Sequence, residues 1–156
     1  MNILISPWSR PLRNGKENPK NYPYWNEVIS FLKNYDSHFI VQIGVKDEKR
    51  INADNFIFDK PLEIIKELIL RCDIWCSVDN FLPHFCNTFN SYGTVIFSIS
   101  DPNLFGYEKN INILKDRKYL RNNQFSTWED SIYNIEAFSQ PEEVAKIILE
   151  KRINLK

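Results

Sequence analysis

Apolar positions in this chain fall into short dense runs. Between the runs lie stretches where they recur every three or four residues. The dense runs are NILIS (2–6), HFIVQIG (38–44), NFIFD (55–59), DIWCSV (73–78), GTVIFSIS (93–100) and NINIL (110–114). Their length suits strands, and being apolar on both faces suits a sheet covered on both sides. Helical spacing predicts a helix from about Tyr24 to Asn34, with Trp25, Val28, Ile29 and Leu32 on its buried stripe. A second helix covers 61–72, with Pro61 in its first turn and Leu62, Ile65, Leu68 and Ile69 facing inward. Further helices are predicted over 81–90 and 141–153, and a short one over KDEKRIN (46–52). The polar stretch 115–139 reads as a long surface connection. Its cluster of Lys115, Arg117, Lys118 and Arg121 reads as a solvated face.

Strands alternating with helices at this spacing make βαβ units and hence a parallel sheet. The expected fold class is therefore α/β: a single Rossmann-like, doubly wound parallel sheet in one domain over 1–156, with no internal repeat.

Composition changes this picture little. Hydrophobic residues make up 43% and charged residues 26%, an ordinary balance for a globular chain. Twenty basic residues balance twenty acidic ones, so there is no strong nucleic-acid signal. No apolar run reaches the roughly 20 residues of a membrane span. The first residues lack a signal peptide's basic region and long apolar stretch, so a cytoplasmic location is expected. Cys72, Cys76 and Cys86 are odd in number and show no pairing pattern, and there are only two histidines. That argues for buried reduced thiols and against a metal site.

Candidate chemistry follows from the strand ends. In doubly wound order the first and fourth strands are neighbours, and ligands bind outside their carboxyl ends. The first strand ends at Ser6, followed by Pro7, Trp8 and a loop running to Lys20. That loop holds Arg10, Arg13, Lys16 and Lys20 against a single acid, Glu17. The fourth strand ends at Asp79 and Asn80, and a helix follows with Pro83 in its first turn. A basic loop beside a helix start is a natural anion site. With four glycines in the chain, neither a Walker loop nor a G-x-G-x-x-G loop is present, so a phosphate would rest on helix amides and a lysine. Plain structural roles stand beside these. Asp79 could cap the helix, His84 could be a core histidine, Gly44 a strand-end turn, and Glu48 a surface acid.

Several blocks also carry a family resemblance. ISPW is similar to an H-P-G block, and KNYPYWNEVI to K-x-W-P-x-x-x-W-x-x-L, with Lys20 at the lysine. QIGVKDE is similar to G-G-x-x-E through Gly44 and Glu48. SVDNFLPHFC is similar to N-D-[ST]-G-x-x-H-L-A through Asp79 and His84, and FSISDP to F-G-P-T-D-P through Asp101 and Pro102. Their order over about residues 3 to 107 resembles the heptosyltransferase family of glycosyltransferases (glycosyltransferase family 9). The likeness is to the C-terminal, nucleotide-sugar-binding half of its GT-B fold. Phe81 stands where the family has glycine, Val45 replaces a second glycine, and Ser98 and Ile99 replace Gly and Pro.

The resemblance implies a donor-binding set of Ser6, Lys20, Gly44, Glu48, Asp79, Asn80, Phe81 and His84. Lys20 would meet the donor diphosphate, Glu48 the ribose and Asp79 the sugar, while the amides of Asn80 and Phe81 would hold the diphosphate. It implies no cofactor and no metal, with a nucleotide-diphosphate sugar as co-substrate; no D-x-D pair occurs. The family's N-terminal acceptor domain is expected to be absent and no catalytic residue is identified. The acceptor site would come from a second copy or a separate acceptor-domain protein. The expected function is metal-independent glycosyl transfer; the alternative is a non-catalytic nucleotide or nucleotide-sugar binding module acting through a partner.

Overall fold

The computed structural model describes residues 1–154. The strands are β1 (Asn2–Ser6), β2 (Phe39–Gly44), β3 (Asn55–Phe58), β4 (Ile74–Val78), β5 (Thr94–Phe97) and β6 (Ile111–Leu114). The α-helices are α1 (Trp25–Tyr35), α2 (Leu62–Arg71), α3 (Phe81–Asn87), α4 (Pro102–Phe105) and α5 (Pro141–Asn154). All strand pairings are parallel, in the order β3-β2-β1-β4-β5-β6. This is the doubly wound α/β fold expected from the sequence. The chain leaves β1 toward one edge, fills it, and crosses back to lay β4 on the other side of β1.

Strand alternation divides the core in two. Ile3 and Ile5 point to one face, with Val28, Ile29 and Leu32 of α1 and Val144, Ala145 and Ile148 of α5. Leu4 and Trp75 point to the other, with Ile65 and Ile69 of α2 and Leu82 and Cys86 of α3. This two-residue period forces both faces to be apolar and both to be covered. Burial of the α1 and α2 stripes supplies most of their stability, since neither helix has a side-chain cap. Gly93 leads into β5 because a Cβ there would fall on the Trp75 ring.

The structure departs from expectation in several places; Leu62 of α2, expected to face inward, is 51% exposed. First among the elements, residues 46–52 are not helical. Buried Gln42 of β2 reaches into this segment instead: its Nε2 donates to Lys49 O at 3.0 Å and its Oε1 accepts from Ile51 N at 2.9 Å. Those bonds satisfy backbone groups that a helix would have paired internally. Second, β5 stops at Phe97, and Ser98 turns aside to donate from Oγ to Pro19 O at 2.9 Å. Third, α3 ends at Asn87 and not at residue 90, and Asn90 adopts the left-handed φ of 57° that asparagine tolerates. Fourth, α4 is too short for periodicity to show. Asp101, accepting from Asn103 N at 2.9 Å, and Pro102 at the first position nucleate it.

The stretch 115–139 contains three short 3₁₀ turns, Arg117–Tyr119, Trp128–Asp130 and Ile135–Ala137. It is more than a surface connection, since Ala137, Phe138 and Ser139 are buried. Among the described residues no helix is long and apolar enough to cross a membrane.

Candidate functional site

Beyond the carboxyl ends of β1, β2 and β4 lies a cavity of about 880 Å³. That is within the usual size range for small-molecule sites. Ser6, Lys20, Gly44, Glu48, Asp79, Asn80, Phe81 and His84 all line it. Arg10 and Arg13 of the basic loop line it too, whereas Lys16 does not.

The centre of the site is built by asparagines. Asn80 accepts from Leu82 N at 2.9 Å and so caps α3. Its Nδ2 donates to Ser6 O, Ser6 Oγ and Trp8 O at 3.0–3.2 Å. One side chain thus ties the end of β1 to the start of α3. Since Asn80 is the cap, Asp79 is not needed for that role. Its buried carboxylate faces Lys20 instead, Nζ to Oδ2 3.5 Å, with the two side chains 13% and 7% exposed. The Asp79 carbonyl accepts from Ser9 Oγ at 2.8 Å, which draws the basic loop onto the same edge. Within that loop, Lys20 N donates to Asn18 Oδ1 at 3.0 Å, Asn18 Nδ2 donates to Arg10 O at 2.8 Å, and Ser9 N donates to Asn21 Oδ1 at 2.7 Å. A segment without regular structure is therefore held by buried side-chain amides, and Lys20 is fixed at its base.

On the β2 side, Trp8 Nε1 donates to Lys49 O at 2.6 Å and helps Gln42 hold the loop that carries Glu48. The Glu48 carboxylate folds back onto Gly44, where any Cβ would collide with it. The bare Cα of Gly44 leaves room for the tip of that flexible acid. Glu48 is half-buried, and burial pushes it up to about 7; an amide hydrogen bond from Val45 opposes the rise and nearby Asp59 adds to it. On the α3 side, His84 is exposed and not part of the core. Its Nδ1 lies 2.9 Å from the Tyr107 hydroxyl, with the rings edge to face at 5.6 Å. Phe81, 49% exposed, stacks obliquely on Phe85.

The sequence reading missed one wall. Thr127, Trp128 and Glu129 line the cavity against the basic loop. Lys20 Nζ sits 4.6 Å from the centre of the Trp128 ring, and the Arg121 guanidinium sits 3.5 Å from it. Glu129 Oε1 accepts from Arg13 N at 3.1 Å, and that bond holds Glu129 below its usual carboxylate range. So Arg121 does not belong to a solvated basic face, while Arg117 forms a two-pronged pair with Asp101 at 3.2 and 2.7 Å. The only signal in the sequence was a lone tryptophan within a polar stretch.

The site thus offers cations (Arg10, Arg13, Lys20, Lys60) for an anion, carboxylates (Glu48, Asp79) for hydroxyls, and apolar side chains such as Leu12 and Ile65 for a ring. Among the described residues, no cluster of His, Cys, Asp and Glu could hold a metal ion.

No protein-family model matches this chain, and no curated protein matches it. Among solved structures, it is similar to the dodecameric iron-containing heptosyltransferase TibC, crystallised in complex with ADP-D-beta-D-heptose. The sequences are 12% identical and the TM-score is 0.66. The match covers 97% of this chain and 45% of that one, so this chain spans less than half of the neighbour's length. The likeness is one of architecture, that of a Rossmann-like α/β fold with a parallel sheet flanked by helices.

Proposed function

We propose that the cavity binds a nucleoside-diphosphate sugar, and that the chain is the donor-binding part of a heptosyltransferase-like glycosyltransferase that works without a metal ion. The observation that carries this reading is the nearly buried Lys20–Asp79 pair at the point where the sheet reverses direction. Lys20, with Arg10 and Arg13 beside it, meets the diphosphate. Asp79 accepts sugar hydroxyls, and Glu48 accepts those of the ribose. The amides of Asn80 and Phe81 add donors to the phosphates. The fold likeness to a heptosyltransferase solved with a nucleotide sugar supports the same assignment.

The chemistry follows from charge. Glycosyl transfer leaves a nucleoside diphosphate, and fixed cations beside the departing oxygens stabilise the charge that develops there. Those cations do the work that a metal does elsewhere. The acceptor and its base come from a partner chain or a second copy.

A second reading, a nucleotide-sugar module without transfer activity, draws on a specific observation. Three of the four carboxylates that line the cavity are already engaged: Asp79 by Lys20, Glu129 by the Arg13 amide, and Asp59 by Lys46 N at 3.3 Å. A crystal soaked with ADP or UDP tests the shared claim, and density for the diphosphate beside Lys20 is expected. An empty cavity with nucleotide bound elsewhere would remove both readings. Release of free sugar from a bound donor, alone or with candidate acceptors, separates transfer from binding.

A further inference from the structure

Resting on the reading of this cavity as an anion site, we infer that Trp128 is a positioning residue: its indole, braced by Arg121, holds the Lys20 ammonium where an incoming diphosphate will meet it. The segment that carries Trp128 is polar and irregular, yet it is firmly built. Arg121 donates to Gln124 O and Ser126 O at 2.7 and 2.8 Å, and to Thr127 O and Ser131 Oγ at 3.1 and 3.2 Å. Gln124 Nε2 donates to Ile99 O at 2.9 Å, and Gln124 Oε1 accepts from Asp101 N at 2.9 Å, which fastens the segment beyond the end of β5. At the far side Glu129 is joined to the amide of Arg13. One guanidinium therefore organises the turn and also packs 3.5 Å from the indole centre. The indole in turn has the Lys20 ammonium 4.6 Å away.

The arrangement of Lys20 fits a group held ready for a ligand. An ammonium has three N–H donors. At 3.5 Å, the contact to Asp79 is longer than the roughly 2.7–2.9 Å of a close charge-assisted bond. The indole face attracts the charge but does not accept it as an oxygen would. Donor capacity is therefore left over for phosphate oxygens. A lysine loses much rotamer freedom when it is fixed, and a contact that fixes it beforehand removes that cost from binding.

The test is a double-mutant cycle between Lys20 and Trp128, using Lys20→Met, Trp128→Leu and the pair. It is read by calorimetric affinity for ADP and by thermal unfolding without ligand. Trp128→Leu is expected to weaken ADP about threefold to tenfold. Trp128→Phe, which keeps an aromatic face, is expected to restore most of that loss. In the Lys20→Met background Trp128→Leu should cost no further affinity and less thermal stability than in wild type. Additive effects in both measurements, or a Trp128→Phe protein as weak as Trp128→Leu, overturn the inference. If Lys20→Met leaves ADP affinity unchanged, the reading of the cavity fails, and the ligand-free cycle still decides whether the indole holds the lysine. If Trp128→Leu does not fold, Trp128→Met carries the same comparison.

Discussion

At the residue scale, the site consists of charges whose neighbours decide their state. Glu48 titrates near neutrality because it is half-buried, and Asp59 stands close by. A carboxyl raised from 4.5 to about 7 on folding binds its proton more tightly in the native state. Its contribution to stability is complete below pH 4.5 and is lost as pH rises through 7. Glu48→Gln removes this dependence. The melting temperature of the variant relative to wild type is expected to climb between pH 5 and pH 8; a constant difference would show that burial does not perturb Glu48. Asp79 poses a separate question. Because Asn80 caps α3, Asp79→Asn is expected to leave the fold intact and to weaken binding of a nucleotide sugar about tenfold, through the lost charged acceptor. A fall in melting temperature with unchanged sugar affinity would assign Asp79 a structural role alone.

At the element scale, short connections place the chemistry. Asn80 holds β1 and α3 in register through a cap and a set of bonds to Ser6 and Trp8. Asn80→Ala removes the cap and leaves the Ser6 and Trp8 carbonyls short of a partner. A loss of about 1–3 kcal/mol in unfolding free energy is expected from denaturant titration. A loss indistinguishable from that of an exposed substitution would contradict the account. The strand ends were legible in the sequence because dense apolar runs stop abruptly, at Ser6, at Gly44 and before Asp79. The side chains that shape the connections were not. Asn18, Asn21 and Gln42 make bonds to backbone groups 7 to 12 residues away, and no period records such bonds. The same cause explains why 46–52 looked helical: its polar pattern permits a helix, and a buried glutamine from the neighbouring strand prevents it.

At the scale of the whole molecule, strand order turns separate motifs into one cavity. Parallel pairing of β1 with both β2 and β4 brings residues 6–20, 44–48 and 79–84 to a single edge. That convergence was foreseeable, since doubly wound sheets reverse direction in the same place. The return of 115–139 across this edge was not, because it lacks apolar periodicity and its anchors are scattered polar side chains, Arg121, Gln124 and Glu129. In charge the crevice is balanced: Arg10, Arg13, Lys20 and Lys60 line it together with Glu48, Asp59, Asp79 and Glu129.

The central claim is that this crevice takes a nucleoside-diphosphate sugar through Lys20. Calorimetric titration of ADP- and UDP-sugars into the wild-type chain and Lys20→Ala tests it most directly. Saturable one-to-one binding to wild type is expected, weakened by about 1.5–3 kcal/mol in the variant. Equal affinity for both proteins, or no heat of binding from any nucleotide sugar, would contradict it.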